Sequence, residues 1–293
     1  MSQPVPLCMR SHFVSTETYR IGFTLLAFML GVICVVWSML LTSASAQTAE
    51  PVFQQQEAPA AVVEDNLEDK PDGPPPRIPV LNYHSITVDP GNRATITPEK
   101  FEAQMNYLHA NGYTTLTLEQ FIGILEGRKR APAKPVLLTF DDGYADNYVH
   151  AMPVLKKLGF HATLFMSPGM VDDGWFLNWD QVKEMHQAGW DIQPHGINHP
   201  YLNRLKQADQ EYQLTEARRQ IEEQLGTTAD VFCYPYGQFN QTTLNLLKKH
   251  GFRYAFTIEQ GFTTHEQDKL KLKRVFVNGE EHIEQWIYRL EKW

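Results

Sequence analysis

Three short stretches of this chain carry side chains that could do chemistry. The first is Thr139-Phe140-Asp141-Asp142-Gly143-Tyr144. Two adjacent carboxylates repel each other unless something cationic lies near. One can bind a metal ion while its neighbour, pointing elsewhere, holds a water or takes a proton. Gly143 lets the chain turn sharply there, although Asp and Gly also make ordinary turns. The second stretch is Pro194-His195-Gly196-Ile197-Asn198-His199-Pro200. Histidines with this spacing can share one face of a helical turn and clamp a single ion. Gly196 and Pro200 favour a loop or short turn over a long helix, and surface or capping histidines are the plainer alternative. Imidazole and carboxylate together suit zinc, with cobalt, nickel or iron as other occupants. A site with three protein ligands leaves positions open for water and substrate. The third stretch, Phe232-Cys233-Tyr234-Pro235-Tyr236-Gly237, reads as a turn after a strand. It carries no chemistry without the other two.

Groups scattered this widely need a fold that gathers them. Strand and helix patterns alternate from Ile78 onward. Ile78–His84 reads as a buried strand and Pro135–Phe140 as a continuous apolar one. Further extended segments fall at 160–166, 190–193, 231–234, 253–257 and 270–277. Between them lie helical patterns. Thr97-Pro98-Glu99 is a helix start, with Phe101, Met105 and Leu108 at helical spacing behind it and Asn111-Gly112 as the stop. Residues 118–125, 144–158, 179–187, 207–225, 241–250 and 281–290 are the other helices. Repeated βα units with apolar strands imply a parallel sheet covered by helices. About seven strands suit an α/β fold of the (β/α) barrel type, imperfectly closed, better than a small open sheet. In such folds chemistry gathers at the carboxyl ends of the strands. Asp141, Asp142, His195, Pro235, Tyr236 and His84 all fall just past a predicted strand end.

The chain has 293 residues, 43% of them hydrophobic, enough for a substantial core. Its formal net charge is -8. Removing residues 1–46 takes away Arg10, Arg20 and Glu17, a net +1, and leaves -9. That balance disfavours nucleic acid as a partner. Residues 21–41 carry no charge, Arg10 and Arg20 precede them, and Ala44-Ser45-Ala46 follows. This is the layout of a signal peptide cut after Ala46, and the run is also long enough to stay as an N-terminal membrane anchor. Membrane contact is expected only through this segment, if it is uncut. Residues 47–77, rich in Ala, Pro and acidic side chains, read as a spacer, so the domain spans 78–293. Of three cysteines only Cys233 falls within it, which rules out an internal disulfide there. The protein is thus expected to be exported: periplasmic, cell-surface or secreted.

The three stretches TFDDGY, HGINHP and CYPYG, in this order and spacing, resemble the motifs of the polysaccharide deacetylase family, also called family 4 carbohydrate esterases or the NodB-homology domain. The likeness covers roughly residues 78–290, and the opening IPVLNYHSI is similar to the branch that includes exported poly-N-acetylglucosamine deacetylases. The resemblance implies a distorted barrel of about seven (β/α) units and hydrolysis of acetyl groups on an N-acetylated polysaccharide. It implies that Asp141 is the general base. Asp142, His195 and His199 would be the ligands of a divalent ion, zinc first. The backbone N–H of Tyr236 would be the donor to the oxyanion.

Two departures stand out. Many members carry an L-x-H motif whose histidine is the general acid, but here the stretch is Leu272-Lys273-Arg274-Val275-Phe276-Val277. Many also carry an arginine, orienting the base, at the position of Cys233. The acid is therefore unassigned. His84, Tyr144, Trp175, Pro235 and Arg274 are candidates for lining the site or touching substrate. Arg274 could approach the base or substrate or make a surface ion pair, and Trp175 could equally be core. Trp179 reads as core, and His282 as a surface residue on a helix. An O-acetyl esterase of xylan-like polymers, which needs less acid assistance, and an inactive glycan-binding module are the competing readings.

Overall fold

The computed structural model describes residues 73–292. The apolar segment 21–41, Cys8, Cys34 and most of the spacer lie outside the described residues. Among the described residues no helix is long and apolar enough to cross a membrane.

Among the described residues eight strands and seven α-helices follow one another. The strands are β1 (Val80–Tyr83), β2 (Thr114–Thr115), β3 (Pro135–Asp142), β4 (Thr163–Met166), β5 (Asp191–Pro194), β6 (Val231–Cys233), β7 (Tyr254–Gln260) and β8 (Leu272–Phe276). The helices are α1 (Pro98–Ala110), α2 (Leu118–Leu125), α3 (Met152–Leu158), α4 (Trp179–Gln187), α5 (Gln207–Leu225), α6 (Gln241–Lys249) and α7 (Ile283–Lys292). Seven strands pair in parallel in the order β5-β4-β3-β1-β8-β7-β6, with the short β2 added beside β3. Side chains bridge the seam between β5 and β6. Gln193 Oε1 accepts from Val231 N at 3.0 Å, and its Nε2 donates to the Thr228 carbonyl at 3.4 Å. The result is a nearly closed (β/α) barrel.

Side chains alternate across each strand, and the alternation sorts the residues into two packed layers. Leu81, Tyr83, Leu138, Phe140 and Leu164 face outward onto helices, with Phe101 and Met105 of α1 and Trp286 of α7. Val80, Leu137, Phe165, Phe256 and Leu272 face inward, where Phe121 and Ile122 of α2 join them. Following the inward face along β3 gives Leu137, Thr139 and Asp141. Along β8 it gives Leu272 then Arg274, and along β6, Val231 then Cys233. The interior is thus apolar low in the barrel and polar at the carboxyl mouth.

Helix starts are fixed by side-chain caps. Thr97, Thr117, Asn178 and Asn240 each accept from a backbone N–H in the first turn of their helix. Two local details differ from the sequence expectation. The helix expected over 144–158 is α only from Met152, and a π turn, Asn147–Ala151, precedes it. Pro153 has no N–H to give to the carbonyl four residues back, so the bonding widens there. Meanwhile β3 runs on to Asp142 because β4 pairs with it along its full end. The two-residue β2 is too short to show a period.

Candidate active site

Asp141 and Asp142 are neighbours in sequence and sit in very different surroundings. Asp141 points into the barrel mouth and is 2% exposed. Arg274, fully buried on β8, grips it with two parallel bonds, Nη1 to Oδ1 at 2.8 Å and Nη2 to Oδ2 at 2.7 Å. The remaining guanidinium donors go to the Thr257 carbonyl, Thr139 Oγ1 and Cys233 Sγ, so every N–H has a partner. Oδ2 also accepts from Asn82 Nδ2 at 2.9 Å and from Cys233 Sγ at 3.6 Å. Burial acts to raise the Asp141 pKa, but the charge and hydrogen bonds of Arg274 outweigh it and pull the carboxyl down to about 2. Arg274 is therefore buried against Asp141 and is not a surface ion pair.

Asp142 turns the other way, on a left-handed backbone with φ 77°. Its Oδ1 lies 3.3 Å from His195 Nε2 and 3.1 Å from His199 Nε2. His195 Nδ1 faces the Cys233 carbonyl at 2.8 Å, which places the ring proton there and leaves Nε2 as an acceptor. Ligand atoms of Asp142, His195 and His199 all lie within 4.8 Å of one another. One carboxylate oxygen and two imidazole nitrogens converging from one side fit a divalent cation. Burial opposes the Asp142 charge, and the two histidines still hold the carboxyl well below its usual range.

The loop that carries the histidines is built for this shape. Gln213 of α5, buried, accepts from the N–H groups of Ile197 and Asn198 and donates to Asn198 Oδ1. Gly169 donates to the Ile197 carbonyl, where any β-carbon would collide at 2.7 Å. His199 itself is left-handed at φ 51°, and Tyr236 at φ 56°. Among the described residues, three of the four non-glycine positive-φ positions thus fall at this site. Each costs about 1–3 kcal/mol, and surrounding contacts must hold it.

His84 follows β1, its Nε2 3.9 Å from Asp141 Oδ2. Asn147 of the π turn donates to its carbonyl at 2.8 Å, and Ser85 beside it bonds Asp146. Its ring meets the edge of Phe276 at 6.1 Å, while Nδ1 is buried with no hydrogen-bond partner in the structure. Burial lowers the His84 pKa and prevails over the nearby carboxylates, Asp141 then Asp142, which raise it.

The other candidates frame the mouth. Tyr144 stacks on Phe176 with ring centres 5.0 Å apart, and burial together with Asp142 raises its phenol pKa strongly. Trp175, next along, is 78% exposed and so is not core. Trp179, expected in the core, is only partly buried, packed against the outer layer. Pro235 is buried beside Gly196 and starts the turn that presents Tyr236. His282 is exposed at the start of α7. The sequence reading missed Asn82, Asn147 and Gln213. Asn82 did leave a signal: it is the one polar residue inside the buried run Ile78–Tyr83.

Comparison with known proteins now bears on these groups. A family model described as polysaccharide deacetylase matches residues 128–255. The putative polysaccharide deacetylase YxkH of Bacillus subtilis is 38% identical over 204 residues, spanning 70% of this chain and 72% of that protein. The chain belongs to the polysaccharide deacetylase family. The poly-β-1,6-N-acetyl-D-glucosamine N-deacetylase of Staphylococcus epidermidis is 26% identical over 238 residues, 70% of this chain and 82% of that protein. The solved structure of the Streptococcus pyogenes deacetylase PplD with acetate matches at TM-score 0.70 and 29% identity, over 74% of this chain and 99% of that one. The barrel of this deacetylase is the distorted (β/α) barrel of the family.

Proposed function

We propose that this deacetylase removes N-acetyl groups from an N-acetylglucosamine-containing polysaccharide of the cell envelope or extracellular matrix, with one divalent ion, zinc first, held by Asp142, His195 and His199. The observation that carries the reading is the position of Asp141: a buried, arginine-paired carboxylate, one residue before the ligand Asp142 and with the His84 imidazole 3.9 Å away. An ion bound there supplies Lewis-acid polarisation of the acetyl carbonyl and acidifies a water. Asp141 takes the proton of the attacking water. Arg274, Asn82 and Cys233 fix its orientation, so the carboxylate is not free to swing away. The N–H of Tyr236 donates to the developing oxyanion.

The leaving amine then needs a proton. We assign this to His84, whose Nε2 lies 3.9 Å from Asp141 Oδ2. An imidazole is far more basic than an arginine-paired carboxylate, so a proton received by Asp141 passes downhill to His84 and on to the nitrogen. Distances of this kind tighten when substrate binds. With an imidazole in reach, the ground for preferring an ester substrate, the lack of an L-x-H histidine, falls away. Arg274 takes the place of that histidine in the strand and also does the work of the arginine that Cys233 replaces.

The Staphylococcus epidermidis relative supports a poly-β-1,6-N-acetylglucosamine substrate. Trp175, Tyr144 and Tyr236 at the mouth offer aromatic surface to sugar rings. Residues 21–41 support export, either cleaved after Ala46 or kept as an inner-membrane anchor. The purified protein should release acetate from N-acetylglucosamine oligomers, lose this with a chelator and regain it with zinc. No acetate from β-1,6 or β-1,4 oligomers or from peptidoglycan, with metal shown to be bound, would overturn the reading. Faster release from acetylated xylan would move it to the ester.

A further inference from the structure

Tyr236 has a left-handed backbone, φ 56° and ψ 13°, which a bulky side chain rarely adopts. Gly237 after it is left-handed too, packed so closely on Ile258 that a β-carbon would sit 2.4 Å from Cγ1. Core packing does not hold the Tyr236 side chain, which is 44% exposed. Its ring is instead held from the second motif. Tyr201, two residues after His199, lies parallel to it, with ring centres 4.0 Å apart and 5° between planes. The Arg204 guanidinium stands 4.2 Å from the Tyr201 ring centre. At these distances one face of Tyr201 cannot hold both neighbours, so the ring is sandwiched. Tyr236 also meets the His199 ring, tilted, at 4.3 Å.

The foot of this stack is anchored. Leu202 is fully buried in the cluster that contains Phe232 and Tyr234. Asn203 Nδ2 donates to Gln238 Oε1 at 2.9 Å and ties the two loops a second time. Arg204 N closes the turn on the Tyr201 carbonyl at 3.0 Å. No hydrogen bond to the Tyr201 hydroxyl is found among the described residues, so the ring, not the hydroxyl, makes these contacts.

We infer that Tyr201 is a positioning residue for the deacetylation: its ring, clamped between Arg204 and Tyr236, holds the left-handed Tyr236 backbone so that the N–H there stays aimed at the oxyanion. The inference rests on the proposed part of Tyr236 in the reaction. Stacked aromatic pairs prefer offset or edge geometry, and an almost parallel pair backed by a guanidinium is a rigid brace. An N–H that must meet charge only in the transition state gains from such bracing in kcat rather than in KM.

The test uses Y201A, Y201L and Y201F in the zinc-loaded protein. Y201A and Y201L should lose about 10–100-fold in kcat for acetate release, with KM within about twofold. Y201F, which keeps the stack, should stay within about threefold of the parent chain. In crystal structures of Y201A or Y201L, Tyr236 should leave the left-handed region, and in Y201F it should remain there. Unchanged kcat in Y201A and Y201L overturns the inference, as does a loss confined to KM, which would make the ring a sugar platform. Equal losses in Y201F and Y201A overturn it by pointing to the hydroxyl. Recovery of Y201A with added zinc overturns it in favour of a role toward His199. If the parent chain releases no acetate from any glycan, the proposed function fails. The Tyr236 backbone in the variant structures still decides whether Tyr201 is the brace.

Discussion

Asp141 and Asp142 are one peptide bond apart and belong to opposite kinds of place. Around Asp141 every polar atom is spoken for: two guanidinium donors, a carboxamide and a thiol close on one carboxylate inside the barrel, and the other three guanidinium donors have partners of their own. Around Asp142 the polar atoms converge without finishing their bonding, since two imidazole nitrogens and a carboxylate oxygen face a common point. A saturated site fixes a charge and its direction. An unsaturated one waits for a cation. Interchanging the two environments would ruin both, because a carboxylate clamped by an arginine cannot turn toward an ion, and a loose one cannot be aimed at a water.

The contrast can be broken from either side. The largest effect is expected from Asp141→Asn, which keeps shape but cannot take a proton: acetate release should fall about 10²–10⁴-fold, while zinc affinity, read by chelator competition, stays near that of the parent. Strong loss of zinc in D141N would mean that the two carboxylates are not separate in function. Next comes Arg274→Met. It leaves a buried carboxylate without its partner, and should cost about 3–5 kcal/mol of stability in urea unfolding. A loss under about 1 kcal/mol would show that solvent reaches Asp141 after all.

His199→Ala attacks the open side. It should weaken zinc binding about 100-fold or more, since even outer partners of ligands are worth 10–100-fold. Metal-free stability should change little, because the ring is only partly buried. The smallest effect is in pH. Asp141 sits at about 2 when folded and near 3.9 when unfolded. A lowered carboxyl stabilises the fold above the unfolded value, and that stabilisation is lost as pH falls through the folded one. The metal-free parent should therefore lose about 2 kcal/mol more than D141N between pH 5 and pH 2. Parallel stability curves for the two proteins would place the carboxyl at an ordinary value.

Much of the barrel was legible along the chain. The span of α1 followed from a cap, a helical period and a stop, and β3 from an apolar run. What the period could not supply was the end of each element. The π turn at Asn147–Ala151 depends on the bonding around Pro153, and β3 gains two residues from β4. The site was legible in the same uneven way. His195 and His199 announce themselves by spacing, and Asp141-Asp142 by charge at a strand end. Asn147 and Gln213 act through backbone carbonyls and amides, which leave no mark in the sequence. Tyr201 looks like any surface tyrosine until Tyr236 is seen stacked on it.

By itself the sequence determined which groups are available: two carboxylates, two imidazoles, a turn able to present an N–H, and strands that end beside each of them. The tertiary structure alone decided how they are shared. Arg274 reads as a charged residue on a late strand, and Cys233 as a gap in a motif. Only the pairing of β8 between β1 and β7, and the inward alternation of both strands, bring guanidinium and thiol onto Asp141. The physical reason is that a side chain's facing is local and set by the strand period. Its partner is set by which strand lies next in the barrel, and that is settled by packing far away in sequence.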